Sequence, residues 1–324
     1  MQASRLGLIL SAAVLGTVAL AGTAPPKQQG QNPQETAPIR VQVNVVNLFV
    51  TARDRKTKQI ISALEQSDFK VTEDNQEQKI AFFSKESTLP ITLALLIDTS
   101  GSETNMLGSE QEAAVSFLSQ VMRKGDLTSV ISFDTDADLL ADFTDNMGAL
   151  QRAIGRARIN TPSGMGPLGG DQPGTVFYDA VYLACHDKLA DEAGRKAIIV
   201  LTDAQDEGSR LRLEDAIEAA QRTDTVVHIL LIGDTGHFSI GGGVNEGVAR
   251  KLTDETGGRT IVVRSEKNLR DAFDQISEEL RSQYTVGYYP TNTAHDGSYR
   301  KVKVDVTRKD TDALTRRGYY APKE

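Results

Sequence analysis

The stretch Ile91–Ser102, ITLALLIDTSGS, decides the reading of this chain. A continuous apolar run, Leu93 to Ile97, stops at Asp98, and Ser100 and Ser102 follow at alternate positions. An unbroken run bounded by a turn reads as a strand buried on both faces of a sheet, because a solvated face would interrupt it at every second residue. A second run, Ala197 to Leu201, is also followed by a carboxylate, Asp203. If both strands are central and parallel, their ends meet at the C-terminal edge of the sheet, where strand order reverses and open α/β sheets bind ligands. Asp98, Ser100, Ser102 and Asp203 offer oxygen donors alone, which suit Mg2+, Mn2+ or Ca2+. The competing reading is that Ser and Gly simply make a strand-to-helix turn.

Outward from this stretch, strands and helices alternate between Leu89 and Gln283. Strands are expected at Thr128–Phe133, Lys196–Leu201, Val226–Ile232 and Thr260–Val263, with Asp138–Phe143 as an antiparallel edge partner. Helices are expected at Glu110–Met122, Asn146–Ala157, Val176–Ala190, Leu211–Thr223, Val244–Glu255 and Leu269–Leu280. In the first, Ala114, Phe117, Leu118 and Val121 share one face. Glycine-rich loops run from Thr161 to Gly174 and from Gly233 to Gly243. This alternation demands an α/β fold, a doubly wound and mostly parallel sheet with helices on both sides.

The flanks have a different texture. Val41–Asp54, Asp68–Thr72 and Ile80–Ser84 alternate apolar and polar residues, and Glu73-Asp74-Asn75-Gln76 has hairpin-turn chemistry. Tyr284–Tyr289, Arg300–Thr307 and Arg317–Tyr320 are strand-like again. Neither flank has enough strands to close a core. They are therefore expected to pair into one small β-sandwich, with the α/β domain inserted in it.

At the N-terminus, Arg5 precedes an apolar stretch from Leu6 to about Ala21 with small residues suited to cleavage, which reads as a signal peptide over residues 1–24. An uncleaved anchor is the competing reading and the one expected link to a membrane. Residues 25–38 read as a disordered linker rich in Pro, Gln and Gly. The expected organisation is then a β segment at 39–88, the α/β domain at 89–283 and a second β segment at 284–324. A secreted, periplasmic or cell-envelope location follows. A net charge of -8 in 324 residues argues against nucleic acid as a partner. Cys185 is the single cysteine, so no intrachain disulfide forms. It reads as a buried helical thiol, and adjacent His186 points about 100° away on a helix.

Asp98, Ser100 and Ser102 in D-x-S-x-S, then Thr175 in PGTVFYDA, then Asp203 in IIVLTDAQD, resemble the metal-ion-dependent adhesion site of von Willebrand factor A domains. The whole order is similar to secreted VWFA-related proteins of acidobacterial type. It runs from FKVTEDNQEQKIAFFS through the α/β domain to the tail YTVGYYPTNTAHDGSYRKVKVDV. The resemblance implies that Ser100, Ser102 and Thr175 give neutral oxygens to a metal, with Asp98 and Asp203 beside it, directly or through water. It also implies a protein partner that completes the coordination with an Asp or Glu. One departure stands out: the family usually has Gly after the strand-end aspartate, and here it is Ala204. A positive φ there would cost about 1 kcal/mol. The long loop before Thr175 leaves Thr161 as an alternative ligand.

Enzymatic readings find little support. Asp134-Thr135-Asp136 resembles a phosphatase-type D-x-D but continues into Asp138, and Leu139 stands where a calcium loop needs Gly. The glycines of SGMGPLGGDQPGT precede no GK[ST], and none of the histidines forms H-E-x-x-H. No nucleophile elbow is present. The expected function is an exported, metal-dependent protein-binding module and not an enzyme. The alternative is a structural component of an envelope assembly in which the metal only stabilises.

Overall fold

The computed structural model describes residues 45–85, 89–159, 174–232 and 243–323. The expected signal peptide and linker, Thr161 with most of its loop, and residues 233–242 lie outside them. Four strands come first: β1 (Val46–Asp54), β2 (Phe69–Glu73), β3 (Gln76–Gln78) and β4 (Ile80–Ser84). The α/β body begins with β5 (Ile91–Asp98), α1 (Leu107–Val121), β6 (Leu127–Phe133), β7 (Ala137–Thr144), α2 (Met147–Ile154) and α3 (Phe177–Leu183). It continues with β8 (Arg195–Thr202), α4 (Leu213–Arg222), β9 (Thr225–Leu231), α5 (Glu246–Thr256), β10 (Thr260–Val262) and α6 (Glu266–Arg281). The chain ends in β11 (Tyr284–Tyr288), β12 (Tyr299–Val306), β13 (Thr311–Leu314) and β14 (Gly318–Tyr320).

The body is built on a six-stranded sheet in the order β10-β9-β8-β5-β6-β7. Its pairings are parallel except for β6 with β7. Every residue of β5 is buried. The cause is the period of two along a strand, which feeds two cores. Leu93, Leu95 and Ile97 pack with Phe117, Leu150, Phe273 and Ile276 on one side. Ala94 and Leu96 pack with Phe177, Ala180, Ala216 and Ala249 on the other. β5 pairs with β6 on one side and β8 on the other, so strand order reverses here and the ends of β5 and β8 flank a crevice.

The flanks build two four-stranded sheets, β13-β1-β11-β4 and β14-β12-β2-β3. Strands from before and after the body alternate in the first and sit as two adjacent pairs in the second, so neither flank completes a sheet alone. Their facing sides bury Leu48, Val50, Tyr284, Val286 and Tyr288 against Phe69, Val71, Val302 and Val304. β4 leads into the body and β11 leaves it, and these two strands pair, so the body is inserted between neighbours in one sheet. Below β5 the Asp126 carboxylate fastens the insertion. It accepts from the Ile91 and Arg123 amides, at 2.8 Å each, and from the Arg281 guanidinium.

Local chemistry explains where the elements start and stop. Asn146, Asn245 and Ser265 cap α2, α5 and α6 with their side chains. The last helix thus starts at Glu266, three residues before the expected Leu269, because its first turn is polar and gives no apolar signal. The helix expected over Val176–Ala190 is α3 continued by a wider π turn, Ala184–Leu189, in which Cys185 is fully buried. β13 was not expected: it is an edge strand with one buried residue, so its sequence lacks strand alternation. At Gly257, φ is +85° and a Cβ would lie 2.4 Å from the Arg316 amide nitrogen. Only glycine lets the end of α5 come this close to the segment before β14.

Candidate metal centre

Asp98 is the last residue of β5 and is fully buried. One carboxylate oxygen accepts the Ser100 amide at 2.9 Å, and the other accepts the hydroxyl of Thr202, the last residue of β8, at 2.6 Å. The first bond bends the chain sharply after the strand, and the second ties the ends of the central strands together. Ser100 and Ser102 lie in the turn that follows, with their hydroxyl oxygens 3.0 Å apart. A short 3-10 turn, Gly101–Glu103, then leads toward α1.

Asp203 follows β8, is 6% exposed, and accepts the Gln205 amide at 2.9 Å. Ala204 has φ of 59°, the left-handed conformation considered above for this position. The turn survives because the Ala204 amide donates to the Thr202 hydroxyl at 3.0 Å and the methyl is fully buried.

Thr175 reaches the same edge of the sheet from the segment before α3. Its carbonyl accepts the amides of Glu207 and Gly208 at 3.1 and 3.2 Å, and the next amide, of Val176, donates to the Asp134 carbonyl at 2.7 Å. Thr175 is therefore held between the segment that follows β8 and the one that follows β6, beside the end of β5. Carboxylates reinforce this: Asp206 accepts the Tyr178 amide at 3.1 Å, and Asp179 accepts the Arg210 and Leu211 amides at 3.1 and 3.0 Å. These bonds hold Thr175 by its backbone, and the residue is 8% exposed.

A further acid joins the group. Carboxylate oxygens of Asp98, Glu103 and Asp203 all lie within 4.8 Å of one another, and all three residues are buried. Glu103 follows the second serine directly and is 1% exposed. Behind it, Glu110 on α1 is fully buried. Among the described residues no N–H or hydroxyl reaches an oxygen of either glutamate; each has only the other's carboxyl as a hydrogen-bond partner. Burial, opposed by the bonds from Ser100 and Thr202 and aided by the Asp203 charge, pushes the Asp98 carboxyl up to about 6. Burial raises Glu103 as well, and the charges of Glu110, Asp98 and Asp203 add to the rise. Burial likewise raises Glu110, opposed by a hydrogen bond from Glu103 and aided by the Asp98 charge. Buried carboxyls with neither a cation nor a donor are costly. A donor set of carboxylates and hydroxyls, with buried oxygens that no N–H or hydroxyl reaches, fits a hard divalent cation.

Sequence reading passed over both glutamates. Glu103 was hidden by the D-x-S-x-S pattern, which ends one residue earlier. Glu110 had a visible signal: it lies four residues before Ala114 and seven before Phe117, on the face that also carries Leu107, Leu118 and Val121. The Asp134-Thr135-Asp136 run forms the turn between β6 and β7. One Asp134 oxygen accepts the Thr135 and Asp136 amides, so that carboxylate shapes the turn.

Comparison with known proteins adds the family. Residues 93–205 match the model of the von Willebrand factor type A domain. Among solved structures, von Willebrand factor type A from Catenulispora acidiphila is similar, with 12% identity, 87% of this chain and 75% of that chain covered, and a TM-score of 0.49. BatB from Bacteroides thetaiotaomicron, a conserved hypothetical protein, shows 18% identity over 59% of this chain and 100% of its own, with a TM-score of 0.44. The vWF domain of the type V pili tip protein Mfa5 from Porphyromonas gingivalis shows 15% identity over 59% and 95% of the two chains, also with a TM-score of 0.44. No curated protein matches the chain. No described helix is long and apolar enough to cross a membrane. The span that matches the von Willebrand factor type A domain runs from β5, through D-x-S-x-S and Thr175, to the turn after Asp203.

Proposed function

We propose that this chain is an exported protein-binding module that holds a divalent cation at the C-terminal edge of its central sheet and uses it to grip an acidic side chain of a partner protein. The observation that carries this reading is the meeting of Asp98 and Asp203 at the ends of adjacent parallel strands, with the paired Ser100 and Ser102 hydroxyls following Asp98. Ser100, Ser102 and Thr175 would offer neutral oxygens, and Asp98 and Asp203 the balancing charge. Mg2+ is the first candidate, with Mn2+ and Ca2+ as alternatives, since Mg2+ keeps exchangeable positions that accept a carboxylate. The bound ion would supply electrophilic attraction for that carboxylate. The role is one of binding and not of catalysis.

The test is calorimetric. Wild-type protein is expected to bind Mg2+ with one site, and Asp98→Ala or Thr175→Ala to abolish the heat of binding. A wild type that binds no divalent cation would sink the reading. A second reading, in which the metal only stabilises an envelope component, is favoured by Glu103, whose extra carboxylate would lower the ion's attraction for an outside acid. Cross-linking in Mg2+ and in EDTA separates the two: selective loss of a partner from a still-folded protein supports the binding role. Export is tested by mass spectrometry of protein recovered outside the cytoplasm, where Met1 is expected to be gone.

A further inference from the structure

We infer that Glu103 is itself a ligand of the cation, so that this chain supplies from its own turn an acidic oxygen of the kind expected of a partner. The inference rests on the cation-binding reading above and adds a residue that the D-x-S-x-S pattern does not contain.

The backbone aims Glu103 inward. Its amide donates to the Ser100 carbonyl at 3.1 Å, and its carbonyl accepts the Met106 amide at 3.0 Å. Between these bonds the turn leaves Ser102 and Thr104 exposed and sends the Glu103 side chain into the protein. There it meets Asp98 and Asp203. The three acids differ in how much of their binding capacity is already used. Both oxygens of Asp98 accept protein hydrogen bonds, from Ser100 and Thr202. One oxygen of Asp203 accepts the Gln205 amide. Neither oxygen of Glu103 accepts anything among the described residues. A carboxylate already occupied by donors orients a site, and a carboxylate with free lone pairs, buried beside two other acids, is the one left to bind a cation directly. The alternative is an acid kept neutral by burial. In that role its O–H would go to the neighbouring Glu110 carboxyl and no cation would be needed, so the cation titration below decides between the two.

Three carboxylates around one divalent ion leave a net charge of about -1 at the site, by simple addition of charges. An outside acid then binds only by displacing Glu103 or by filling a further coordination position.

The experiment is calorimetric titration of the full chain with Mn2+ and with Mg2+, comparing wild type, Glu103→Gln and Asp98→Ala, with circular dichroism as the check on folding. Glutamine keeps the size of the side chain and removes its charge. At least a tenfold loss of affinity in Glu103→Gln is expected. If Glu103→Gln binds within twofold of wild type while Asp98→Ala does not bind, the inference falls and the cation site stands. If wild type binds neither ion, the site itself falls and the inference with it. Should Glu103→Gln fail to fold, Glu103→Asp decides instead, because the charge stays while the arm shortens: a tenfold loss supports ligation, and wild-type affinity overturns it.

Discussion

Glu73 in the β-sandwich and Glu110 in the α/β body are both buried glutamates, and the fold treats them in opposite ways. Glu73, at the end of β2, accepts hydroxyl hydrogen bonds from Tyr288 at 2.8 Å and Tyr319 at 2.9 Å. Burial, then the bond to Glu73, raises both phenols above their ordinary range, so they remain donors. Glu73 therefore has a complete account inside the chain: it joins β2 to strands from the other end of the sequence. Glu279 is likewise answered, by Arg259 at 2.7 Å. Glu110 and Glu103 have only each other. The sandwich satisfies its buried acid with donors of its own, while the α/β body leaves Glu103, and Glu110 behind it, without an N–H or hydroxyl donor. That difference separates an acid serving architecture from acids kept for something the chain does not contain.

Matched substitutions break the comparison most directly. Glu73→Met should destabilise by about 2–4 kcal/mol, because the Tyr288 and Tyr319 hydroxyls lose their acceptor in a dry interior. Glu110→Met, the same replacement, should stabilise metal-free protein by about 1–3 kcal/mol, because it removes from the apolar face of α1 a buried carboxyl that only the Glu103 carboxyl meets. Urea unfolding in EDTA measures both, and equal signs would show that the two acids do not differ as described.

Acid tests a third kind of buried group. His228 on β9 is 1% exposed and neither ring nitrogen has a partner among the described residues. Burial, followed by the Arg259 charge, lowers its pKa to about 3. With the folded value below the unfolded one of about 6.5, the unfolded chain takes the proton first. The neutral imidazole's contribution is therefore present above about pH 6.5 and is lost as pH falls toward 3, by up to about 1.4 kcal/mol per pH unit. His228→Leu should lose less stability between pH 7 and pH 5 than wild type, by about 1–2 kcal/mol. Parallel urea titrations at the two pH values decide it, and identical losses would remove His228 from the account.

The smallest expected effect lies beside the metal centre. Ala204→Gly relieves a φ of 59° but gives up a buried methyl, so a gain of no more than about 1 kcal/mol is expected. Thermal melting of the metal-free variant measures it. A clear loss of stability would show that the methyl's packing outweighs the backbone strain.

Much of this was legible in the residue order. The runs of β5 and β8 marked themselves as central because a strand buried on both faces needs apolar residues without interruption. The turn Glu73–Gln76 marked itself too, and Asp74 and Asn75 adopt φ of 46° and 67° there. The flanking strands were legible as strands, but their partners were not. β4 follows the β2–β3 hairpin in sequence yet pairs with β11 in the opposite sheet. Alternation tells which residues face a core, while pairing depends on which distant strand buries them best.

Sequence alone determined the α/β body, its place between two β flanks, and the oxygen-rich ends of β5 and β8, because each is written in local period and local turn chemistry. Only the tertiary structure decided that Glu103 joins Asp98 and Asp203, that Glu110 lies buried behind it, and that Thr175 is held from both sides by backbone bonds. The physical reason is that burial and hydrogen-bond satisfaction belong to the packed whole. An acid in a sequence reads as a solvated charge until the fold removes the water and shows which donors come to replace it.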